Sequence, residues 1–297
     1  MALPPLPGTG RRRVSAVLFR IGTLLALVLV VGPATWLLAG IIARTLPHFS
    51  FSIFVHPTVG NGGGLEYAVL GSLLLMGGVL IIAGTVGVLA GLYLSEFSKL
   101  RKDGRPGGNL LRTASDILSG FPSIVLGYVG YVALVVGLHW HFSLLAAWLI
   151  LSIMVVPYIA KATETALRQV PTAYREGAEA LGMPEGYALR KVTLRTALPG
   201  IVTGILIALA IAGGETAPLI YTAGNSANAP LSLGLTNHEV PYLTYLVFNF
   251  YTLPEKSAQY LAYDAAFVLV VMVLLLLVAA RLLVNRSQRY AEAAARR

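Results

Sequence analysis

KATETALRQVPTAYREGAEALGMPEGYALRKVTLRTALPG, residues 161–200, is the stretch on which the architecture turns. It is polar and charged, yet apolar runs at 142–158 and 198–221 flank it on both sides. Pro171 and Thr172 suit the first turn of a helix, Gly182 suits its C-terminal stop, and Pro184 prevents continuation. A second helix bearing Arg190, Lys191 and Arg195 then leads into the next apolar run. The stretch therefore reads as a short helix, a tight turn and another helix, held between two segments suited to a bilayer.

The rest of the chain agrees. Of its 297 residues 56% are hydrophobic and only 12% charged, and the mean hydropathy is +0.75, far from an ordinary soluble domain. A membrane-crossing helix needs about 20 mostly apolar residues. Six runs qualify, at 18–42, 67–94, 116–138, 142–158, 198–221 and 263–283. A β-barrel would show short alternating segments instead. The predicted fold class is an all-α polytopic membrane protein with six transmembrane helices. The first run follows Arg11, Arg12 and Arg13 as a signal peptide would, but it is long and lacks a clear small-x-small cleavage site, so it reads as an anchor. There are no cysteines to inform the compartment.

Basic residues set the orientation, because they collect on the cytoplasmic side. With the N-terminus inside, the inner segments hold Arg11, Arg12, Arg13 and Arg20, then Lys99, Arg101, Lys102, Arg105 and Arg112. They also hold Lys161, Arg168, Arg175, Arg190, Lys191 and Arg195, then Arg281, Arg286, Arg289, Arg296 and Arg297. That places 20 of the 22 Lys and Arg inside, leaving Arg44 and Lys256 outside. A miscounted helix would scatter them. The expected layout is a cytoplasmic tail at 1–17, a six-helix domain at 18–284 with a cytoplasmic loop at about 161–197, and a second cytoplasmic tail at 285–297. The net charge of +9 could suit nucleic acid, but the charges recur in every second loop rather than in one patch, so lipid headgroups are the expected counterpart and no nucleic acid.

Small residues recur every fourth position: Ala83, Gly87 and Gly91; Ser119, Ser123 and Gly127; Gly200, Gly204, Ala208 and Ala212. Such stripes let helix backbones approach closely in lipid. Between the spans, "GNGGG" reads as a flexible turn within 43–66, and 241–250 as a short interfacial helix. The five histidines fall in outer loops, and His139 and His141 lack the Cys or carboxylate companions a metal site needs. Asp116 and Asp264 sit at span ends, where water can solvate them.

"EGAEALG" at 176–182, followed by nine residues and "VTL", resembles the EAA signature of ABC importer permeases. Glu176, Ala178, Gly182 and Leu194 stand in register; Gly177 replaces the usual second alanine and Arg195 the usual proline. "GLYLSEF", "FPSIVLGYV", "VPYIAKATETALRQVP", "GETAPL", "PYLTYLVFNF" and "LVAARLLVNR" are similar to PstA-type phosphate importer permeases over roughly 67–289. The resemblance implies a MetI-like bundle and a permease subunit of a phosphate-specific importer in a bacterial or archaeal plasma membrane. It implies a PstC-like second permease, a PstB-like ATPase dimer and an extracytoplasmic PstS-like phosphate-binding protein as partners. Glu176, Gly177, Ala178 and Gly182 would form the coupling loop that docks on the ATPase. An importer for another oxyanion, such as molybdate, sulfate or a phosphonate, would share the EAA loop but not the Gly-Glu-Thr-Ala-Pro match.

No catalytic residues, cofactor or metal are expected in this chain. None of Lys99, Lys102, Lys161, Lys191 or Lys256 follows a glycine as a P-loop requires, so ATP and Mg would be bound by the partner ATPase. An ion-coupled transporter would need paired intramembrane charges, and an enzyme a nucleophile–base or metal cluster; the spans supply neither. Glu215 is the exception inside an apolar run. Gly213, Gly214 and Pro218 should break the helix around it. PstA-type members often carry an arginine one turn earlier, where this chain has Ile211. Glu215, Thr216, Pro218, Gly214 and Ser123 are therefore the expected translocation-path or gate residues, with Glu215 either a gate or an interhelix brace.

Overall fold

The computed structural model describes residues 9–98, 109–224 and 226–295. Lys99, Arg101, Lys102, Arg105, Arg296 and Arg297 of the predicted inner clusters lie outside them. The chain divides into two compact units, 1–49 and 50–297. The first contains one helix, α1 (Thr9–Thr45), whose Val14–Thr45 portion is long and apolar enough to cross a membrane.

Among its described residues the second unit is mostly helical, with a hairpin of two-residue strands and an irregular stretch over 226–242. Its helices are α2 (Glu66–Leu92), α3 (Asn109–Ser119), α4 (Ser123–Gly130), α5 (Leu144–Arg168), α6 (Thr172–Ala180), α7 (Glu185–Ala188), α8 (Leu194–Gly214), α9 (Ala217–Thr222), α10 (Leu243–Phe250) and α11 (Lys256–Ala295). Single π-helical segments extend α2 over Tyr93–Phe97 and α4 over Tyr131–Gly137, and join α7 to α8 over Leu189–Thr193. Among the described residues five helices, α1 included, are long and apolar enough to cross a membrane; the bent pair α3 and α4 makes a sixth if counted as one span.

That bend corrects the expected straight span at 116–138. The helix stops at Ser119 and restarts at Ser123, turned through 101°. Gly120 and Pro122 intervene, and proline offers no amide to continue the ladder. Ser119 and Ser123 consequently do not share a face, so that small-residue stripe is not continuous. The other two are. A Cβ on Gly87 would lie 2.7 Å from the Ile159 Cβ of α5, and one on Gly200 would lie 2.8 Å from the Ala166 Cβ, also of α5. α5 is thus clasped between α2 and α8 at distances only glycine permits, and Val79, Ala83, Leu151, Val155, Ile159 and Ala208 form the buried core there. The Trp148 indole adds a hydrogen bond to the Leu74 carbonyl at 3.0 Å.

Other elements depart from the sequence reading in detail. α5 continues ten residues beyond the expected 158, carrying Lys161, Glu164 and Arg168. The turn expected at "GNGGG" joins the hairpin strands Thr58–Val59 and Gly62–Gly63, with Gly60 and Gly63 in the left-handed region and the Asn61 amide bonded to Glu255 Oε2 at 2.8 Å. The short helix expected at 241–250 is α10, which packs against α2 and α11 and buries Leu243, Leu246 and Phe250. Asp264 is 6% exposed rather than solvated, because α11 starts at Lys256 and that stretch is packed within the bundle.

Candidate functional site

Two groups of residues stand at opposite ends of one continuous helix. Glu185–Gly214 runs for 30 residues, about 45 Å at 1.5 Å per residue. The predicted coupling residues lie before it and the predicted gate residues at and beyond its far end, so the structure keeps the two sets apart.

At the first end, Pro171 precedes α6 and Gly182 ends it. Gly182 has φ +69. Its amide reaches the Glu179 carbonyl at 2.8 Å, and the Met183 amide reaches the Ala178 carbonyl at 3.1 Å, the paired bonds of a Schellman stop. Pro184 then opens α7. Glu176 and Gly177 are exposed on α6, whereas Ala178 is 4% exposed. α6 packs on α7 and its π-helical continuation, so Ala178 holds the short helix down while Glu176 faces outward. Leu181, Tyr174 and Tyr187 are exposed beside it. The result is a presented helix with an acidic and apolar outer surface.

Ion pairs that sequence reasoning did not connect surround this end. Arg175 forks onto Glu96, with Nη1 to Oε2 at 2.8 Å and Nη2 to Oε1 at 2.7 Å. Glu164 receives Arg112 Nη2 at 2.8 Å and Arg168 Nη2 at 2.6 Å. Lys161 and Asp116 are 3.7 Å apart but both well exposed, a pair of little energetic weight. The Glu164–Arg168 spacing was a legible helix pair; the partners from α2 and α3 had no local signal.

At the far end, α8 stops at Gly214 and Glu215 is extended, with φ −75 and ψ 136. Thr216 precedes the short α9, in which Pro218 occupies the first turn and is buried. The Glu215 carbonyl accepts the Thr244 hydroxyl of α10 at 2.8 Å. Its half-buried side chain lies beside Ser123, the first residue of α4. The helix break at 120–122 and the break at 215–216 therefore meet. A carboxylate there also complements the positive end of α4. One turn further on, α4 and α9 touch so closely that a Cβ on Gly127 would lie 2.6 Å from the Pro218 Cα. Ser123, Glu215 and Pro218 thus belong to one packed junction, while Gly214 is exposed with nothing within 4 Å of a Cβ. Thr203, by contrast, spends its hydroxyl on the Pro199 carbonyl within its own helix. Among the described residues no group of three or more His, Asp or Glu side chains is placed to hold a metal.

The bundle thus carries a presented helix at one end and two broken helices that meet within it. The family model for the binding-protein-dependent transport system inner membrane component matches residues 83–297. The chain belongs to this family. The phosphate transport system permease protein PstA 2 of Mycobacterium bovis is 53% identical over 279 residues, covering 94% of this chain and 91% of that protein. PstA of Xylella fastidiosa (strain Temecula1) is 36% identical over 84% of this chain and 85% of its own length. Among solved structures, an inward-facing MetNI methionine ABC transporter aligns with a TM-score of 0.56 at 24% identity, covering 75% of this chain and 97% of that one. A bacterial ABC transporter involved in alginate import aligns at 0.54 and 17%, covering 93% and 99%. At those identities the two structures establish the MetI-like fold alone. The chain is a multi-pass permease subunit of an ABC importer.

Proposed function

We propose that this subunit forms part of the translocation path for inorganic phosphate, with α6 as the contact for an ATPase that binds ATP and Mg in trans. The observation that carries the substrate is the 53% identity to a phosphate permease along nearly the whole chain. The geometry supports the division of labour. Spans built on α2, α5 and α8 carry no Lys or Arg at their apolar centres among the described residues, so the path passes an anion without holding it, and selectivity rests with an extracytoplasmic binding protein. Glu215 repels an anion, lies beside Ser123 and is tied through its carbonyl to Thr244, which suits a gate or brace between two broken helices rather than a phosphate ligand. The second permease, the ATPase dimer and cytoplasmic termini complete this reading. Closure of the ATPases would push α6 and rock the bundle between two states.

The test is ATP hydrolysis by the reconstituted complex with its binding protein. Phosphate should stimulate it; stimulation by molybdate, sulfate or a phosphonate and not by phosphate would overturn the assignment. Glu176→Lys should lower phosphate uptake while the subunit remains in the membrane, since Glu176 is exposed on α6 and supports no internal contact that the fold requires.

A further inference from the structure

We propose that the Glu96–Arg175 ion pair is the link that carries motion of α6 into the membrane helices, making both residues positioning residues for transport although neither lies at an EAA motif position. Arg175 directly precedes Glu176, and successive helical residues point about 100° apart. Glu176 therefore faces outward while Arg175 turns back toward the bundle, where it is half-buried. The contact is bidentate, the arrangement that fixes orientation as well as distance. Ser95 supports it by donating to Glu96 Oε1 at 3.0 Å.

What lies behind the pair matters more than the pair itself. A cavity of about 310 Å³ opens between α6, α7 with its π-helical continuation and the end of α2, lined by Glu96, Arg175, Glu179, Glu185 and Thr193. α6 is therefore not seated on α2 by continuous apolar packing; the guanidinium bridges the gap. Glu96 sits on the π-helical end of α2, a backbone irregularity of the kind that recurs at functional positions. The same turn is gripped from its other side. Arg112 Nη2 donates to the Leu94 carbonyl at 3.2 Å and to Ser98 Oγ at 3.3 Å while also holding Glu164 of α5. A displacement of α6 thus reaches one short turn that is joined to α2 by the backbone, to α3 by Arg112 and to α5 by Glu164. The glycine contacts between α2 and α5 then make those helices move together.

The inference rests on the reading of α6 as the ATPase contact. It is tested in the assembled importer with Glu96→Gln, Arg175→Gln and the exchanged pair Glu96→Arg with Arg175→Glu. Three quantities are read: ATPase retained on purification, ATP hydrolysed and substrate taken up. Each single variant should retain the ATPase and lose about tenfold in substrate moved per ATP, the size of an ordinary coupling energy. The exchanged pair should recover to within about threefold of the natural protein. Unchanged uptake per ATP in the singles overturns the proposal. So does an assembled exchanged pair that fails to recover. Loss of the ATPase from the singles overturns it as well, because the pair would then hold the complex together rather than transmit motion. The ratio is measured with whichever oxyanion the natural complex moves, so a failure of the phosphate assignment is seen separately. A failure of the α6 reading is seen separately too, as normal coupling in Glu176→Lys.

Discussion

Gly177 and Gly182 lie five residues apart in the coupling loop, and a Cβ added at either meets nothing within 4 Å. Substituting alanine at the two positions should nonetheless have opposite effects, because only the backbone differs. Gly177 is inside α6 with helical geometry, where alanine is better than glycine by roughly 0.5–1 kcal/mol. Gly182 has φ +69, and a side chain in the left-handed region costs about 1–2 kcal/mol. The two variants should therefore differ by about 1.5–3 kcal/mol in the stability of the ordered loop, a factor of about 10 to 150 in its opening equilibrium. Hydrogen exchange of the amides in α6 reads this directly. Exchange should slow in Gly177→Ala and quicken in Gly182→Ala, most clearly at Gly182 and Met183, whose amides close the Schellman stop. Uptake per ATP should hold in the first and fall in the second. Slower exchange in both variants, or quicker exchange in both, would refute the argument, since open space alone would then govern the loop.

The junction of broken helices gives further expectations. Gly127→Ala places a methyl 2.6 Å from the Pro218 Cα, so α4 and α9 must part by about 1 Å; overpacking of this kind costs roughly 1–3 kcal/mol, to be seen as a lower melting temperature in detergent and reduced uptake. Thr244→Val removes one hydrogen bond to the Glu215 carbonyl and should destabilise by about 1 kcal/mol in the same melting assay without abolishing uptake. Glu215→Gln keeps the shape of the side chain while removing its charge; uptake should change with assembly intact, and unaltered uptake would leave Glu215 without the gate or brace role.

Sequence legibility followed the range of the interactions involved. The stop at Gly182, the start after Pro171 and the break at Gly214 are local effects of glycine and proline on the backbone, and each appeared where the residues put it. The bend at 120–122 had the same kind of signal in Gly120 and Pro122, but the apolar run continued through it, and hydropathy outweighed backbone chemistry in that reading. The end of α5 was misplaced for the opposite reason. Lys161, Glu164 and Arg168 read as a loop because they are charged, whereas their charges are what the inner end of the bundle is built from: Glu164 is shared by arginines of α3 and α5.

Long-range pairing also changes the meaning of Glu215. As a sequence feature it asked for a cation, and Ile211 denied it one within its own helix. The structure answers with neutral partners instead: a hydroxyl at the start of α4 for the carboxylate and a hydroxyl of α10 for the carbonyl. A carboxylate beside a hydroxyl and the positive end of a helix needs no buried countercharge. If Ser123 braces Glu215 at this junction, Ser123→Ala should lower the melting temperature in detergent, and an unchanged melting temperature would refute that brace.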